Sequence, residues 1–319
     1  MGPRVKRLGV IGTMVWDTIY GRHATTEPVT EWGGIAYALA ALEVALADDW
    51  EVVPLIKVGR DMAPQANEFL QGLTRRAGAA RFIEVPEANN RVTLRYESMQ
   101  RRTEQLRGGV PGWQWSELGP MIGDLDALYV NFISGFELDL DSAVLMRRGF
   151  AGPIYADLHS LLLGVTQDGR RVPARLADPA AWFSCFDAVQ LNEEEMGQIG
   201  ADAMEIAAVA MTAGVRLLVV TLGGGGAVYF TTRPYSFDRR HGPAVGPVET
   251  ARVPPPDPQT VGDTTGCGDV FGATLVGHLL SGRSLDDGLD RANRLAGRNV
   301  RHHGATNLHY YLRGEIAPT

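Results

Sequence analysis

The sequence predicts an α/β fold in which a mostly parallel sheet is covered by helices on both faces. Three observations carry this. Short apolar runs alternate with helix-like segments almost throughout. The runs are brief and rich in β-branched residues, as strands buried on both faces are. One region alternates polar and apolar residues instead, which marks a small half-exposed sheet.

Taken in order, RLGVIG (residues 7–12) is a buried first strand, and EVVPLIKVG (51–59), DALYVNFIS (126–134), GPIYADL (152–158), DAVQLN (187–192) and VRLLVVTLG (215–223) are its partners. The segments IAYALAALEVALA (35–47), APQANEFLQGLTRRA (63–77) and MEIAAVAMTA (204–213) between them have helical patterning. NNRVTLRYESMQRRTEQLRGG (89–109) reads as a solvent-facing antiparallel hairpin, and DTIYGRHATTEPVTEWG (17–33) is similar. Segments of about 16–32 and 89–109 are therefore expected to form a small β-sheet lid over the strand ends, where ligands of such sheets gather. The Pro-rich VPPPDP (253–258) is too short to separate domains, so residues 1–319 are read as one domain with that appendage.

With 45% hydrophobic and 21% charged residues, the chain has ordinary globular composition. A formal net charge of -7 argues against a broad nucleic-acid or anionic-membrane surface, though not against a local anion pocket. The two cysteines, Cys185 and Cys267, form no CxxC arrangement, which argues against a disulfide framework or structural zinc and favours a reducing compartment. The first apolar run stops at Asp17, well short of a membrane span, and no cleavage site follows. The expected location is cytoplasmic.

The densest signal is VGDTTGCGDVFGATLVGHLL (261–280). Gly266 and Gly268 permit backbone conformations that side chains hinder. After Asp269 an apolar face at helical spacing begins, so the loop delivers its amides to a helix N-terminus, where N–H donors and the dipole favour an anion. A carboxylate there is either a cap or a base beside a bound phosphate. Phosphoryl transfer needs such a pairing of fixed donors with a base. No Walker G-x-x-x-x-G-K-[ST] occurs.

The stretch D-T-T-G-C-G-D resembles the D-T-x-G-A-G-D signature of the ribokinase, or PfkB, family of carbohydrate kinases, with Cys267 at the usual alanine. GTMVWD (12–17), the paired Gly33 and Gly34, KVGRD (57–61), NEEE (192–195), TLGGGG (221–226) and Asn293 are similar to further family motifs and run in family order over nearly the whole chain. The resemblance implies a ribokinase-like three-layer α/β/α sandwich. It implies Asp269 as catalytic base and the amides of Gly266, Cys267 and Gly268 as anion hole. It assigns nucleotide contacts to Thr221, Gly223, Gly226 and Asn293, and magnesium, acting through water, to Asn192 and Glu195. Asp263 and Thr265 match positions associated with a monovalent cation such as potassium, and Asp17, Gly33 and Gly34 match substrate contacts. ATP and magnesium are the implied cofactors, and a homodimer through the lid is the implied assembly.

Simpler roles stand beside these: an N-cap asparagine followed by first-turn acids at residues 192–195, a tight hairpin at 221–226, a turn brace at Asp263. Two departures, Val15 and Ala38 at positions usually polar, remove two sugar hydrogen bonds and count against ribose itself. Trp16 and Trp32 flank the expected site, as stacking surfaces or as packing. The lid carries Arg91, Arg95, Arg101, Arg102 and Arg107, either a solvated surface or, at Arg91, a grip on a phosphorylated substrate. The leading expectation is an ATP-dependent kinase acting on a primary hydroxyl of a sugar or sugar-like molecule. A nucleoside kinase, a phosphosugar kinase and a non-catalytic ligand sensor are its rivals.

Overall fold

The structure, a computed structural model, describes residues 4–20, 27–78, 80–96, 102–232, 235–237, 246–256 and 262–318. In chain order its strands are β1 (Lys6–Ile11), β2 (Met14–Tyr20), β3 (Val29–Gly34), β4 (Trp50–Leu55), β5 (Lys57–Gly59), β6 (Ile83–Val85), β7 (Arg91–Tyr96), β8 (Arg102–Arg107), β9 (Ala127–Asn131), β10 (Ile154–Asp157), β11 (Leu163–Val165), β12 (Arg171–Pro173), β13 (Ala188–Asn192), β14 (Leu217–Thr221), β15 (Ala227–Thr232) and β16 (Val248–Val253). The helices are α1 (Ile35–Ala45), α2 (Ala63–Gln71), α3 (Trp115–Leu118), α4 (Leu140–Gly149), α5 (Pro179–Phe183), α6 (Glu193–Ile199), α7 (Ala203–Ala213), α8 (Cys267–Leu280), α9 (Leu285–Asn299) and α10 (Leu308–Arg313).

The central sheet has the order β16-β15-β14-β13-β10-β9-β1-β4. From β4 to β14 every pairing is parallel, and β15 and β16 are added antiparallel at the edge. The sequence of β9, ALYVN, and of β10, IYAD, is buried at every position, as a strand covered on both faces demands. One core, with α1, α8, α9 and α10, lies on one face; a second, with α3, α4, α5 and α7, lies on the other. Helix α1 is apolar nearly all round because α8 and α10 enclose it. Leu39 is fully buried there, an arrangement that contributes about 1.5–3 kcal/mol for such a side chain.

The chain leaves β1 for β4 on one side and returns to β9 on the other. The order of travel therefore reverses between β1 and β9, and their carboxyl ends flank the crevice where ligands of open α/β sheets bind.

One expected strand is divided. EVVPLIKVG bends after Leu55, so that β4 stays in the central sheet while β5 pairs with β6. The first strand ends at Ile11; Met14 onward turns out of the sheet as β2, and Gly12 at the turn packs against Ile35, where a Cβ would lie 2.6 Å from that side chain.

The two alternating segments meet as one four-stranded sheet, order β3-β2-β7-β8. It is mixed rather than purely antiparallel, since β2 and β7 run parallel. Its edges are partly occupied by the chain itself. Ala305 N–H donates to Trp32 O at 3.0 Å beside β3, and Leu106 N–H donates to Gly169 O at 2.8 Å beside β8. The free edges that would invite a second subunit are reduced accordingly. Among the described residues no helix is long and apolar enough to cross a membrane.

Candidate active site

The glycine loop enters α8 as its spacing predicts. Gly266 is the residue before the helix and has φ 74°, the left-handed region; a Cβ there would lie 2.3 Å from the Tyr37 ring of α1. Cys267 N–H is taken by Thr264 O at 3.2 Å. Of the three amides expected to form an anion hole, that of Cys267 is thus engaged within the turn, while the described residues give those of Gly266 and Gly268 no acceptor. The Cys267 thiol points the other way, toward Ala296 O at 3.4 Å, and so fills a packing slot.

Asp269 is in the first turn of α8, and its Oδ1 accepts from Asn131 Nδ2 at 2.7 Å. Asn131 is the last residue of β9. Partly open to solvent as a residue, Asp269 still has its carboxyl deep enough that burial raises its pKa above the ordinary value. The nearby His159 and the Asn131 hydrogen bond oppose that rise.

Polar groups continue across the strand ends beneath the loop. Gln190 Nε2 donates to Gly268 O at 3.0 Å and to Asp157 Oδ2 at 2.8 Å, and Tyr155 OH donates to Gln190 Oε1 at 2.9 Å. Gly272 permits this closeness, since a Cβ there would lie 2.6 Å from Gln190 Oε1 and 2.8 Å from Tyr129 OH. Burial, then the neighbouring Glu195, holds the Asp157 carboxyl well above the usual range. His159 Nδ1 lies 2.7 Å from Glu195 Oε1. Burial works against charge on this imidazole, but the hydrogen bond and charge of Glu195, with Asp157 and Asp269 nearby, lift it to about 9.

Asn192 and Glu195 make a reciprocal cap at the start of α6: Glu195 N–H donates to Asn192 Oδ1 at 2.8 Å and Asn192 N–H to Glu195 Oε2 at 2.7 Å. Asn192 Nδ2 also donates to Glu195 Oε1 at 2.6 Å. Both carboxylate oxygens are thus engaged, and among the described residues no group of three or more His, Cys, Asp or Glu is arranged to hold a metal. Thr221 pairs with Asn192 across β13 and β14, so the TLGGGG turn lies beside this cap. Gly223 and Gly226 both have positive φ, at 53° and 87°. Gly226 closes the turn into β15 against Val253 O, 2.2 Å from where its Cβ would be. Asn293 donates its amide to Val253 O at 3.1 Å and to Pro254 O at 3.4 Å, holding the end of β16.

Asp263 is buried and accepts from Thr265 N–H at 2.7 Å, with His303 Nδ1 3.6 Å from its other oxygen, so it braces the turn. Thr265 meets the lid directly: its hydroxyl is 3.2 Å from Tyr96 OH at the end of β7.

Asp17 lies in β2, in the lid sheet rather than at the end of the first strand, and is buried. Gly33 is directly against it; a Cβ would fall 1.9 Å from Asp17 Oδ2. Gly34, with φ 59°, then turns the chain into α1, whose Tyr37 ring packs on Gly266. A short run of contacts therefore leads from Asp17 through the glycine pair and Tyr37 to the loop before α8. Val15 and Ala38, the two apolar departures, are both in the core.

Arg91 is exposed and donates to Asp61 Oδ2 at 2.8 Å, the aspartate of KVGRD. Arg95 stacks over the Tyr20 ring at 4.1 Å. Arg101 and the side chain of Arg102 lie outside the described residues. An exposed pair of this kind is worth about 0.2–1 kcal/mol, so Arg91→Ala is expected to move a urea midpoint only slightly and to leave the ratio of turnover on free and phosphorylated sugars unchanged. A selective loss on phosphosugars would restore the phosphate grip. Trp16 and Trp32 pack edge to face at 5.0 Å, with Trp32 buried and Trp16 partly exposed.

Asn131, Asp157, His159 and Gln190 escaped the sequence reading. Their one sequence signal is a polar residue at or near the end of an otherwise apolar strand.

The family described as pfkB family carbohydrate kinase matches residues 171–309. No curated protein matches the chain by sequence. Among solved structures, ribokinase from Thermotoga maritima is similar with TM-score 0.72 and 16% identity, covering 97% of this chain and 98% of its own. A pyrophosphate-dependent kinase of the ribokinase family, solved with sulfate, has TM-score 0.70 and 15% identity over 93% of this chain and 96% of its own. A nucleoside kinase from Burkholderia thailandensis, in complex with inosine, has TM-score 0.68 and 17% identity over 95% of this chain and 93% of its own. Residues 171–309 thus match the pfkB family carbohydrate kinase model, and the fold that spans the chain is that of ribokinase.

Proposed function

We propose that the protein transfers the γ-phosphoryl group of ATP to a primary hydroxyl of a sugar or sugar-like molecule, with Asp269 as general base. The observation that carries this is Asp269 itself: a carboxylate with raised proton affinity, fixed by Asn131, in the first turn of a helix at whose entrance the Gly266 and Gly268 amides have no acceptor among the described residues. The base takes the hydroxyl proton as the oxygen attacks the γ-phosphorus, the bond to the β–γ bridging oxygen breaks and ADP leaves with its electron pair, and the Gly266 and Gly268 amides receive the charge that develops. Asp17, a buried acceptor beside Gly33, is suited to two neighbouring hydroxyls of a polyol. The four-stranded sheet, touching the loop through Tyr96 and Thr265, serves as a lid that excludes water.

Magnesium fits as a water-mediated guest of this site. The carboxyls of Asp157, Glu195 and Asp269 interact electrostatically with one another against a single histidine, His159, so a triphosphate needs further positive charge. With its oxygens already bonded, Glu195 would reach the ion through water, as magnesium favours. When bound, the ion neutralises and orients the donor phosphates. A potassium ion near Asp263 and Thr265 belongs to the same reading.

ATP consumption measured across sugars, phosphosugars and nucleosides, with pyrophosphate as an alternative donor, tests the proposal. Turnover is expected with ATP and a free sugar, and is expected to stop with EDTA and return with added magnesium. A folded protein that turns over none of these acceptors is the sensor instead.

A further inference from the structure

We propose that Asn131 and Gln190 are a pair of positioning residues, Asn131 aiming the carboxylate of Asp269 and Gln190 holding the peptide of Gly268. The inference rests on the reading of Asp269 as the base and adds what keeps the two halves of the site in register.

Both amides stand at or near the carboxyl ends of central-sheet strands, β9 and β13, which flank β10, and both are buried. Neither contact is local. Asn131 and Asp269 are 138 residues apart, and Gln190 and Gly268 are 78 apart. Each amide is itself held from behind by a phenol: Asn131 Nδ2 lies 3.2 Å from Tyr129 OH, and Gln190 Oε1 accepts from Tyr155 OH at 2.9 Å. An amide oriented on two sides cannot swing, so the groups it holds on α8 are fixed relative to the sheet. The cost is visible at Asn131, whose Oδ1 is buried and without a partner among the described residues. A strand end serving stability alone would have no reason to keep an unsatisfied acceptor there. Gly272 completes the arrangement by leaving space on α8 for both Gln190 and Tyr129.

The two amides act differently, which separates them from simple packing. Asn131 donates to the ionised form of Asp269 and so favours it, whereas Gln190 touches a backbone carbonyl and leaves the carboxyl alone. His159, Glu195, Asp157 and Tyr129 also face Asp269, and they are the same in every variant.

The Asp269 carboxyl is followed through a pH titration by carbon-13 NMR, its signal assigned by its loss in Asp269→Asn. Removing the donor in Asn131→Leu is expected to raise the titration midpoint by about one to two pH units, the scale of one hydrogen bond to a charged group. Asn131→Asp keeps the shape and sets a second carboxyl against the first, so the midpoint rises further. Gln190→Met leaves the midpoint in place. ATP turnover falls about tenfold or more in Asn131→Leu and in Gln190→Met, the cost of a misplaced reacting group. An unmoved midpoint in a folded Asn131→Asp protein overturns the inference, and so does wild-type turnover in Gln190→Met. If Asp269→Asn itself stays active, the reading of the reaction fails instead, and the two failures are thereby told apart.

Discussion

Asp269→Asn is expected to lower turnover by about 10²–10⁴-fold, the usual contribution of a positioned general base, while donor binding is retained. The amide has the shape of the carboxylate and sits in the same first helical turn, so the loop should hold its form. What is lost is the ability to take a proton. The carboxyl is suited to that task because burial raises its pKa above the usual aspartate value, with His159 and Asn131 restraining the rise. The sign has a consequence for pH. A base must be ionised to act, so activity fails on the acid side as pH falls through the raised pKa, nearer neutrality than for a solvated aspartate. Calorimetric titration with ATP and steady-state turnover, run on the same preparation, give the two numbers needed. Near-normal turnover would falsify the assignment of the base. Lost binding together with lost turnover would make Asp269 a donor contact.

Gly266→Ala is the second large effect. The residue has φ 74°, where a side chain costs about 1–2 kcal/mol. The added Cβ would also fall 2.3 Å from the Tyr37 ring. Tyr37 is fully buried in α1 and cannot retreat, so the loop must move instead. Moving it displaces the Gly266 and Gly268 amides. Loss of one such donor typically costs about 10²–10³-fold in turnover. The expected result is a folded but less stable protein with turnover reduced on that scale. Thermal unfolding checks the first part and kcat the second. Cys267→Ala is the control: the thiol points to Ala296 O and its N–H to Thr264 O, so turnover should remain close to that of the parent. A Gly266→Ala protein with unchanged kcat would remove the loop from the mechanism.

Much of the site was legible where the chemistry is local. The cap of Asn192 and Glu195 is complete within a single turn, and its reciprocal hydrogen bonds follow from spacing alone. So does the glycine before α8, because a left-handed entrance with an acid in the first turn is readable over four residues. Spacing could not show the partner of Arg91, because Asp61 is 30 residues away and is also bound by the Asn89 N–H. It failed for Asp17 as well. A run of six apolar and polar residues looks the same whether it continues a strand or turns at Gly12 into another sheet.

The sequence by itself determined the alternation of buried strands and helices, the glycine entrance to α8 and the acid that follows it. These depend on backbone sterics and side-chain periodicity within a few residues. Only the tertiary structure decided that Asn131, Gln190, Asp157 and His159 stand beneath that entrance, and that the Cys267 amide is not available to it. A polar residue at a strand end acquires its role from whichever strands and helix lie alongside. That choice is made by crossovers between segments far apart in the chain, 138 residues between Asn131 and Asp269 and 78 between Gln190 and Gly268.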